Sequence, residues 1–491
     1  MARATAGHEI VPPNAAAMIE SMRAFGYSPA TAIADLVDNS ITARARLIEV
    51  RMHWAGRDSW VSVSDDGRGM EEDELRNAMR LGSRSPREER AAEDLGRFGL
   101  GLKTASFSQC RSLTVASRRA AGTMGVRRWD LDVVAERGEW YLLTSAAPRS
   151  ADRLDPIGLE QGTVVLLENL DRLAGDVDAD DDSAREHFLQ TAGRVETHLG
   201  MVFHRFLGTR GGPELRVNGN RVQPWDPFMA DHPSTQRFQS EHLMLHGHRI
   251  EVSPFVLPHH SKLTDAERTA GRGPEGWNAH QGFYVYRERR LLVAGDWLRL
   301  GGQKEEHAKL ARIRIDLPNG LDGEWQIDVR KATARPPGPL RDRLRQIAEL
   351  TRRRAVEVYR HRGKEIARRH GGEQSFVWRQ LVRRGKIVYA VNRDHPIVAT
   401  ALAASPGLES VLRLAEETVP VPLIALQATE RPDEQAAPFE GADRDLRTLA
   451  RSTRDVLLAN GHDRRTVTTA LLAIEPFASH PEILTALEDP S

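Results

Sequence analysis

Cysteine is almost missing from this 491-residue chain: Cys110 is the only one. A single thiol allows neither an intrachain disulfide nor a cysteine-ligated zinc centre, so the fold must rest on its core. Aromatic residues are sparse, at 6%. No apolar run is long enough to cross a bilayer, and the N-terminus lacks the apolar segment of a secretory signal. A cytoplasmic protein with no membrane partner is the expectation. Net charge is absent as well, with Lys+Arg and Asp+Glu both totalling 69. That neutrality hides segregation, because acids gather around Asp171–Asp182 and arginines after Arg335. Apolar residues make up 40% and charged residues 28%, which suits a globular protein with a real core. The length corresponds to about three domains.

What is present is organised around Gly96-Arg97-Phe98-Gly99-Leu100-Gly101-Leu102-Lys103-Thr104-Ala105-Ser106. Glycines let backbone N–H groups approach an anion with no Cβ in the way. The apolar run that follows reads as a helix start, whose N-terminus adds partial positive charge. The outline is that of a phosphate cradle. It is not a Walker A loop, because Leu102 separates Gly101 from Lys103. Nor does it open a Rossmann unit: the preceding Arg87 to Asp94 is charged and helical in pattern, not a buried strand. Taken alone, the cluster also fits a tight turn.

Upstream, Met18, Ile19, Met22 and Phe25 recur at helical spacing, after a Pro/Ala-rich start that reads as a strap. A second helix is expected over Ala30 to Thr42, with Ile33, Leu36, Val37 and Ile41 on its apolar face. Asp35 and Asn39 stand at i and i+4 and so project from one face. A carboxylate and an amide stacked in this way can hold a water and a hydrated magnesium ion, which keeps several waters and takes oxygen ligands. The alternative is a solvated polar face. Strands are expected at Leu47–Met52 and Trp60–Ser64, the latter running into Asp65-Asp66-Gly67-Arg68-Gly69. Asp65 at a strand end could accept a hydrogen bond from the exocyclic amine of adenine, with Gly67 letting the base lie close. An ordinary Asp-Gly turn is the other reading.

In order, Asp35…Asn39, Asp65-x-Gly67-x-Gly69 and Gly96-x-x-Gly99-x-Gly101 resemble the GHKL ATPases, which include gyrase B subunits, ninety-kilodalton heat-shock chaperones, histidine kinases, MutL and MORC proteins. Ala-Ile-Ala-Asp-Leu-Val-Asp-Asn-Ser and Gly-Leu-Gly-Leu-Lys-Thr-Ala-Ser resemble the MutL and MORC side. Gly162-Thr163-Val164-Val165-Leu166-Leu167 is similar to the family's late Gly-Thr strand.

The resemblance implies an α+β chain. A Bergerat-type α/β sandwich ATPase domain would occupy residues 1–205, and a ribosomal-protein-like β-α-β transducer domain residues 206–340. A basic, mainly helical region would follow over 341–491. It implies ATP and Mg2+ as ligands. Asn39 would ligate the metal, and Asp65 would read adenine with Thr163 behind it and Gly67 and Gly69 beside it. Gly96, Gly99 and Gly101 would wrap the phosphates, aided by backbone N–H groups near Lys103 and Thr104. Residues from about Glu71 to Asp94 would form a lid. Asp35 would polarise the attacking water, and Lys331 would sense the γ-phosphate, with Lys304 as the second candidate. One departure matters: MutL, gyrase and MORC relatives carry glutamate where this chain has Asp35. The shorter side chain sets the carboxylate back by about 1 Å, a misplacement that can cost ~10²-fold in rate. Thr42 is another departure, standing where many relatives have aspartate.

A long helix is expected from Ser183 to Leu207, then a β-rich region with a hairpin at Asn218-Gly219 and strands at Arg249–Val256, Gly282–Tyr286, Leu291–Ala294, Ala311–Leu317 and Trp325–Lys331. His242, His246, His248, His259 and His260 cluster there, but strand alternation scatters them over both faces. From Arg341 to Arg384 arginines recur, with Trp378 and Tyr389 interleaved, on a stretch that reads as helix or as a DNA-contacting surface. Helices are expected at Pro396–Ala403, Leu408–Glu417, Asp443–Ala459 and Arg465–Ala473. The MutL endonuclease signature, a Toprim-type acidic cluster and a phosphoacceptor-histidine helix are all missing. The implied function is an ATP-dependent homodimeric clamp on DNA, in phage defence or DNA repair with a separately encoded nuclease or helicase. A protein-directed chaperone-like ATPase and a nucleotide-dependent scaffold with little turnover are the rivals.

Overall fold

A computed structural model describes residues 13–24, 26–82, 101–154, 160–327, 333–366, 375–383, 386–405, 407–421, 423–424, 443–459, 463, 466–477 and 480. Contacts divide the chain into two units, residues 1–304 with 308–356, and residues 305–307 with 357–491.

The first unit opens with helices α1 (Ala15–Arg23) and α2 (Pro29–Thr42). Ser28 caps α2 by accepting from the Thr31 N–H, and Pro29 sits at the first turn, where its missing N–H costs nothing. The strands β1 (Leu47–His53), β2 (Trp60–Asp65), β3 (Ser112–Arg118), β4 (Gly125–Asp130), β5 (Leu142–Leu143), β6 (Gly162–Glu168), β7 (Glu214–Val217) and β8 (Asn220–Arg221) form one sheet. Its order is β5-β4-β3-β6-β2-β1-β7-β8, antiparallel except where β7 runs parallel to β1. Between them lie α3 (Glu72–Met79), α4 (Gly101–Phe107), α5 (Leu131–Arg137) and α6 (Asp182–Val202).

The apolar run of β6 is buried on both faces. Val165 and Leu167 join the main core with Ile19 of α1, Ile33 and Val37 of α2 and Val195 and Leu199 of α6. Val164 and Leu166 pack on the opposite face with Ala116 and Leu154. The period-two alternation of a strand puts consecutive apolar residues on opposite faces, so the continuous run needs cover on both sides. Gly162 starts this strand at φ +141°, and a Cβ there would lie 2.0 Å from the Asp65 carbonyl oxygen. Gly162→Ala is therefore expected to destabilise the fold by roughly 2–4 kcal/mol, read as a drop in thermal midpoint, since the obstacle is backbone that cannot yield.

The Asn218-Gly219 hairpin is present, with both residues at positive φ as the tight turn demands. Its strands belong to the first sheet and not to the following β-rich region as expected. Leu215 and Val217 alternate inward into the main core and hold them there. The expected long helix is α6 followed by the short α7 (His204–Leu207).

A second sheet follows, from β9 (Gln236–Arg237), β10 (Glu241–Leu245), β11 (His248–Val256), β12 (Gly282–Arg287), β13 (Arg290–Asp296) and β14 (Ala311–Leu317). The order is β10-β11-β14-β12-β13, with β9 on β11, and β12 and β14 run parallel. Phe228, Phe255, Tyr284, Tyr286 and Leu291 form its core, joined by Met201 from α6. Helix α8 (Asp265–Arg272) lies between β11 and β12. Trp325–Ile327 is a turn with a fully buried Trp325, not the start of a strand; Lys331 lies outside the described residues.

Helix α9 (Gly338–Ile366) carries the chain onward. In the second unit a hairpin of β15 (Trp378–Arg383) and β16 (Lys386–Val391) replaces part of the helical reading of the arginine-rich stretch. Helices α10 (Pro396–Ala404), α11 (Leu408–Glu417), α12 (Asp443–Ala459) and α13 (Val467–Leu472) follow. Leu446, Ala450, Leu457, Val467, Leu471 and Phe477 make a separate core. Among the described residues no helix is long and apolar enough to cross a membrane, and no group of His, Cys, Asp and Glu side chains is arranged to hold a metal ion. That statement covers the five clustered histidines.

Candidate nucleotide site

Helix α2 supplies the first part of the site. Its apolar face, Ile33, Leu36 and Val37, anchors it in the core. Asp35 is buried, and Asn39 one turn later is exposed. Asp35 Oδ2 accepts from the Tyr27 hydroxyl at 3.0 Å, and Oδ1 faces the Arg290 Nη2 at 3.4 Å. Gly101, the first residue of α4, abuts this carboxylate: a Cβ on Gly101 would lie 3.8 Å from Asp35 Oδ2. Structure thus brings Asp35 and the last glycine of the cluster together across 66 residues of sequence. The Asn39 side chain has no hydrogen-bond partner among the described residues.

The end of β2 supplies the second part. Asp65 is 4% exposed and sits opposite Thr163 across the β2–β6 register. Ser40 of α2 donates to its Oδ2 at 2.8 Å, and the Gly67 N–H donates to Oδ1 at 2.9 Å. Burial pushes the carboxyl up to about 6 from its ordinary value of 3.8, against the opposing effect of those donors. Behind it, the Thr163 and Ser117 hydroxyls lie 2.8 Å apart, and Ser117 also donates to the Gly162 carbonyl and accepts from the Met70 N–H. A Cβ on Gly67 would stand 2.8 Å from both Asp65 Oδ1 and the Ala43 methyl, so only a glycine lets the turn pack this closely against that carboxylate and donate its N–H to it. Gly69 at φ +64° presses on the Arg118 carbonyl in the same turn. The neighbouring Asp66 does a different job: its Oδ1 accepts from the N–H groups of Arg46 and Leu47 and fixes the start of β1.

The glycine cluster supplies the third part. Gly96 and Gly99 lie outside the described residues, as does the lid beyond residue 82. The described start of the segment expected to form it is the helix α3, with Leu75 and Met79 buried. Lys103 is buried, with its Nζ donating to the Ala78 carbonyl at 2.8 Å, and burial pushes its ammonium down to about 8. Thr104 is buried too, and its hydroxyl turns back to the Gly101 carbonyl at 3.4 Å. What these two residues can lend a phosphate is main-chain N–H, not the side chains. Lys304 is exposed, and its Nζ donates to the Ala279 carbonyl.

These residues fit a Mg2+-bound adenine nucleotide. An exposed amide oxygen sits one turn from a carboxylate beside the glycine-led helix. A buried carboxylate that accepts from the Ser40 hydroxyl and the Gly67 N–H stands at the strand end. Sequence reading missed Tyr27, Ser40, Ser117 and Arg290. Ser40 could have been found, since it follows Asn39 and is one turn and a half from Asp35 on the same helix. Arg290 leaves no local signal, because 255 residues separate it from Asp35.

Comparison with known proteins gives a consistent result. Residues 27–161 match the model of the histidine kinase-, DNA gyrase B- and HSP90-like ATPase family. The DNA mismatch repair protein MutL from two strains of Halobacterium salinarum is 29% identical over 193 residues, which is 39% of this chain and 25% of the relative. The ATPase morc-1 of Caenorhabditis elegans is 31% identical over 91 residues, 18% of this chain and 10% of its own. The chain thus spans a quarter or less of the length of these relatives. These matches agree: residues 27–161 correspond to a GHKL-type ATPase domain similar to those of MutL and MORC proteins.

Proposed function

We propose that the protein is a Mg2+-dependent ATPase that works as a nucleotide-gated homodimer on DNA. The observation that carries the ATP reading is the convergence of Asp35 and Asn39 on α2 with Asp65 at the end of β2, joined by the Ser40–Asp65 hydrogen bond. Asp65 accepts from the adenine amine, and Thr163 and Ser117 fix the strand behind it. Asn39 offers its amide oxygen to the metal. Asp35 orients the attacking water. Gly96, Gly99 and Gly101, with the N–H groups that follow, hold the phosphates. Bound Mg2+–ATP supplies the scissile anhydride and the neutralising charge. Lys331 is the proposed γ-phosphate sensor and Lys304 the second candidate, and the sheet β9–β14 is assigned the transducer role.

DNA as the substrate rests on the relatives, one of which is named a mismatch repair protein, and on the arginines of α9. Several of these are already engaged: Arg343 grips Glu241 with two hydrogen bonds of 2.8 and 2.7 Å, and Arg345 pairs with Asp342. Exposed Arg341 and Arg353 remain for phosphate contact. Titration of duplex DNA against salt tests this. With an ATP analogue present, affinity is expected to fall steeply with salt, about 10- to 100-fold between 50 and 200 mM for a few phosphate contacts. Nucleotide binding without any salt-dependent DNA binding would favour the protein-directed chaperone-like reading. A partner nuclease or helicase, and a place in phage defence, follow from the MutL and MORC resemblance alone.

A further inference from the structure

Arg290 lies on β13 of the second sheet, yet its guanidinium is buried against helix α2 of the ATPase domain. Nε donates to both oxygens of Asp38, at 2.8 and 3.0 Å, Nη1 donates to the Leu291 carbonyl at 3.1 Å, and Nη2 faces Asp35 at 3.4 Å. The guanidinium also lies 6.0 Å over the Phe203 ring at the end of α6. Asp35 and Asp38 are themselves 3% and 1% exposed. Two buried carboxylates one turn apart on a helix repel each other and need a cation, and a planar fork can serve both where an ammonium cannot.

We propose that Arg290 is the positioning residue of the ATPase site: pinned by Asp38, it sets the rotamer of Asp35 and ties the second sheet to the helix that carries the hydrolytic carboxylate. This deepens the reading of Asp35 given above and rests on it. The device has a plain physical logic. Asp38 takes the short contact, both its oxygens sharing the Nε–H, and fixes the arginine. Asp35 takes the longer one, and with the Tyr27 hydroxyl on its other oxygen it is steered from two sides. A shift of the second sheet relative to α2 then reaches the carboxylate directly. His198 of α6 faces the same charge, and burial with the nearby guanidinium keeps its imidazole neutral, well below its ordinary range.

The test uses the full chain with Arg290→Lys and with the double variant Asp38→Asn/Arg290→Gln, which keeps the net charge of the cluster unchanged while removing the link to Asp35. Turnover at saturating ATP, KM and the Kd of a fluorescent ATP analogue are measured for each. Turnover is expected to fall about 100-fold in the double variant and about 10-fold in Arg290→Lys, with Kd held within about twofold. Without nucleotide, amide hydrogen exchange across Pro29–Thr42 is expected to rise in the double variant while β12 stays protected. Wild-type turnover in the double variant, a loss wholly in Kd, a rise in turnover or unchanged exchange would each overturn the proposal. An Asp35→Ala control separates the two readings. If that variant hydrolyses normally, the role of Asp35 fails. If it is inactive while the Arg290 variants are not, only the positioning role fails.

Discussion

Asp65→Ala is expected to raise the Kd for ATP by 10- to 100-fold while leaving the fold at least as stable as before. The affinity loss follows from one charge-assisted hydrogen bond to the adenine amine, worth roughly 1.5–3 kcal/mol. The stability side follows from burial. In the folded protein the Asp65 carboxyl titrates near 6, against an ordinary 3.8. The folded state therefore binds the proton more tightly than the unfolded chain, and ionised Asp65 costs the fold on the order of 3 kcal/mol above pH 6. That cost is released as the pH falls from 6 towards 4. Nucleotide affinity moves the other way, because the protonated acid is the weaker acceptor. Isothermal titration between pH 5 and 8 should show ATP affinity declining below about 6. The same dependence should flatten in Asp65→Asn. A structural aspartate would give no such opposition between binding and stability. Wild-type affinity in Asp65→Ala would remove this residue from the adenine site.

The parts of the site that could be read from sequence are those with short-range signatures. The helix expected over Ala30 to Thr42 was legible from the apolar spacing of Ile33, Leu36, Val37 and Ile41, and it starts one residue earlier, at Pro29, behind the Ser28 cap. Asp65 was legible because a strand, a carboxylate and two glycines follow one another. Hidden were the features set by pairing over distance. The strands Glu214–Val217 and Asn220–Arg221 look like the start of the next domain, yet β7 aligns with β1 across more than 160 residues because Leu215 and Val217 are needed in the main core. The arginine-rich stretch from Arg341 to Arg384 reads as a helix or a DNA-contacting surface, yet Trp378–Arg383 at its end folds as a strand paired with Lys386–Val391. The fate of Lys103 was equally hidden. In sequence it stands where a phosphate ligand would, and only the packing of α3 beside α4 reveals that its ammonium caps the Ala78 carbonyl instead. Arg290 is the extreme case, an ordinary strand arginine until the second sheet is docked on α2.

Asp35→Ala should lose turnover by about 10²- to 10³-fold with the Kd for ATP unchanged, since general-base assistance of this order is what a positioned carboxylate contributes. Asp35→Asn should be as slow, although it preserves shape and can still accept from Tyr27, because an amide cannot take up the proton of the attacking water. The informative variant is Asp35→Glu. Relatives with glutamate reach the water with one more methylene, and here that extra length must fit between the Tyr27 hydroxyl, the Arg290 fork and the start of α4. A Cβ on Gly101 would stand at ordinary contact distance, 3.8 Å, from Asp35 Oδ2, so the bare glycine leaves room for the longer side chain toward the glycine-led helix, which is the direction of the proposed phosphates. Turnover of Asp35→Glu is therefore expected to stay within about tenfold of wild type, despite the disturbed contact with Arg290. Burst and steady-state phosphate release at saturating ATP would measure it. Should Asp35→Ala and Asp35→Asn both match wild type, Asp35 would be a structural partner of Tyr27 and Arg290, and the chain would bind nucleotide as a switch without using this carboxylate for hydrolysis.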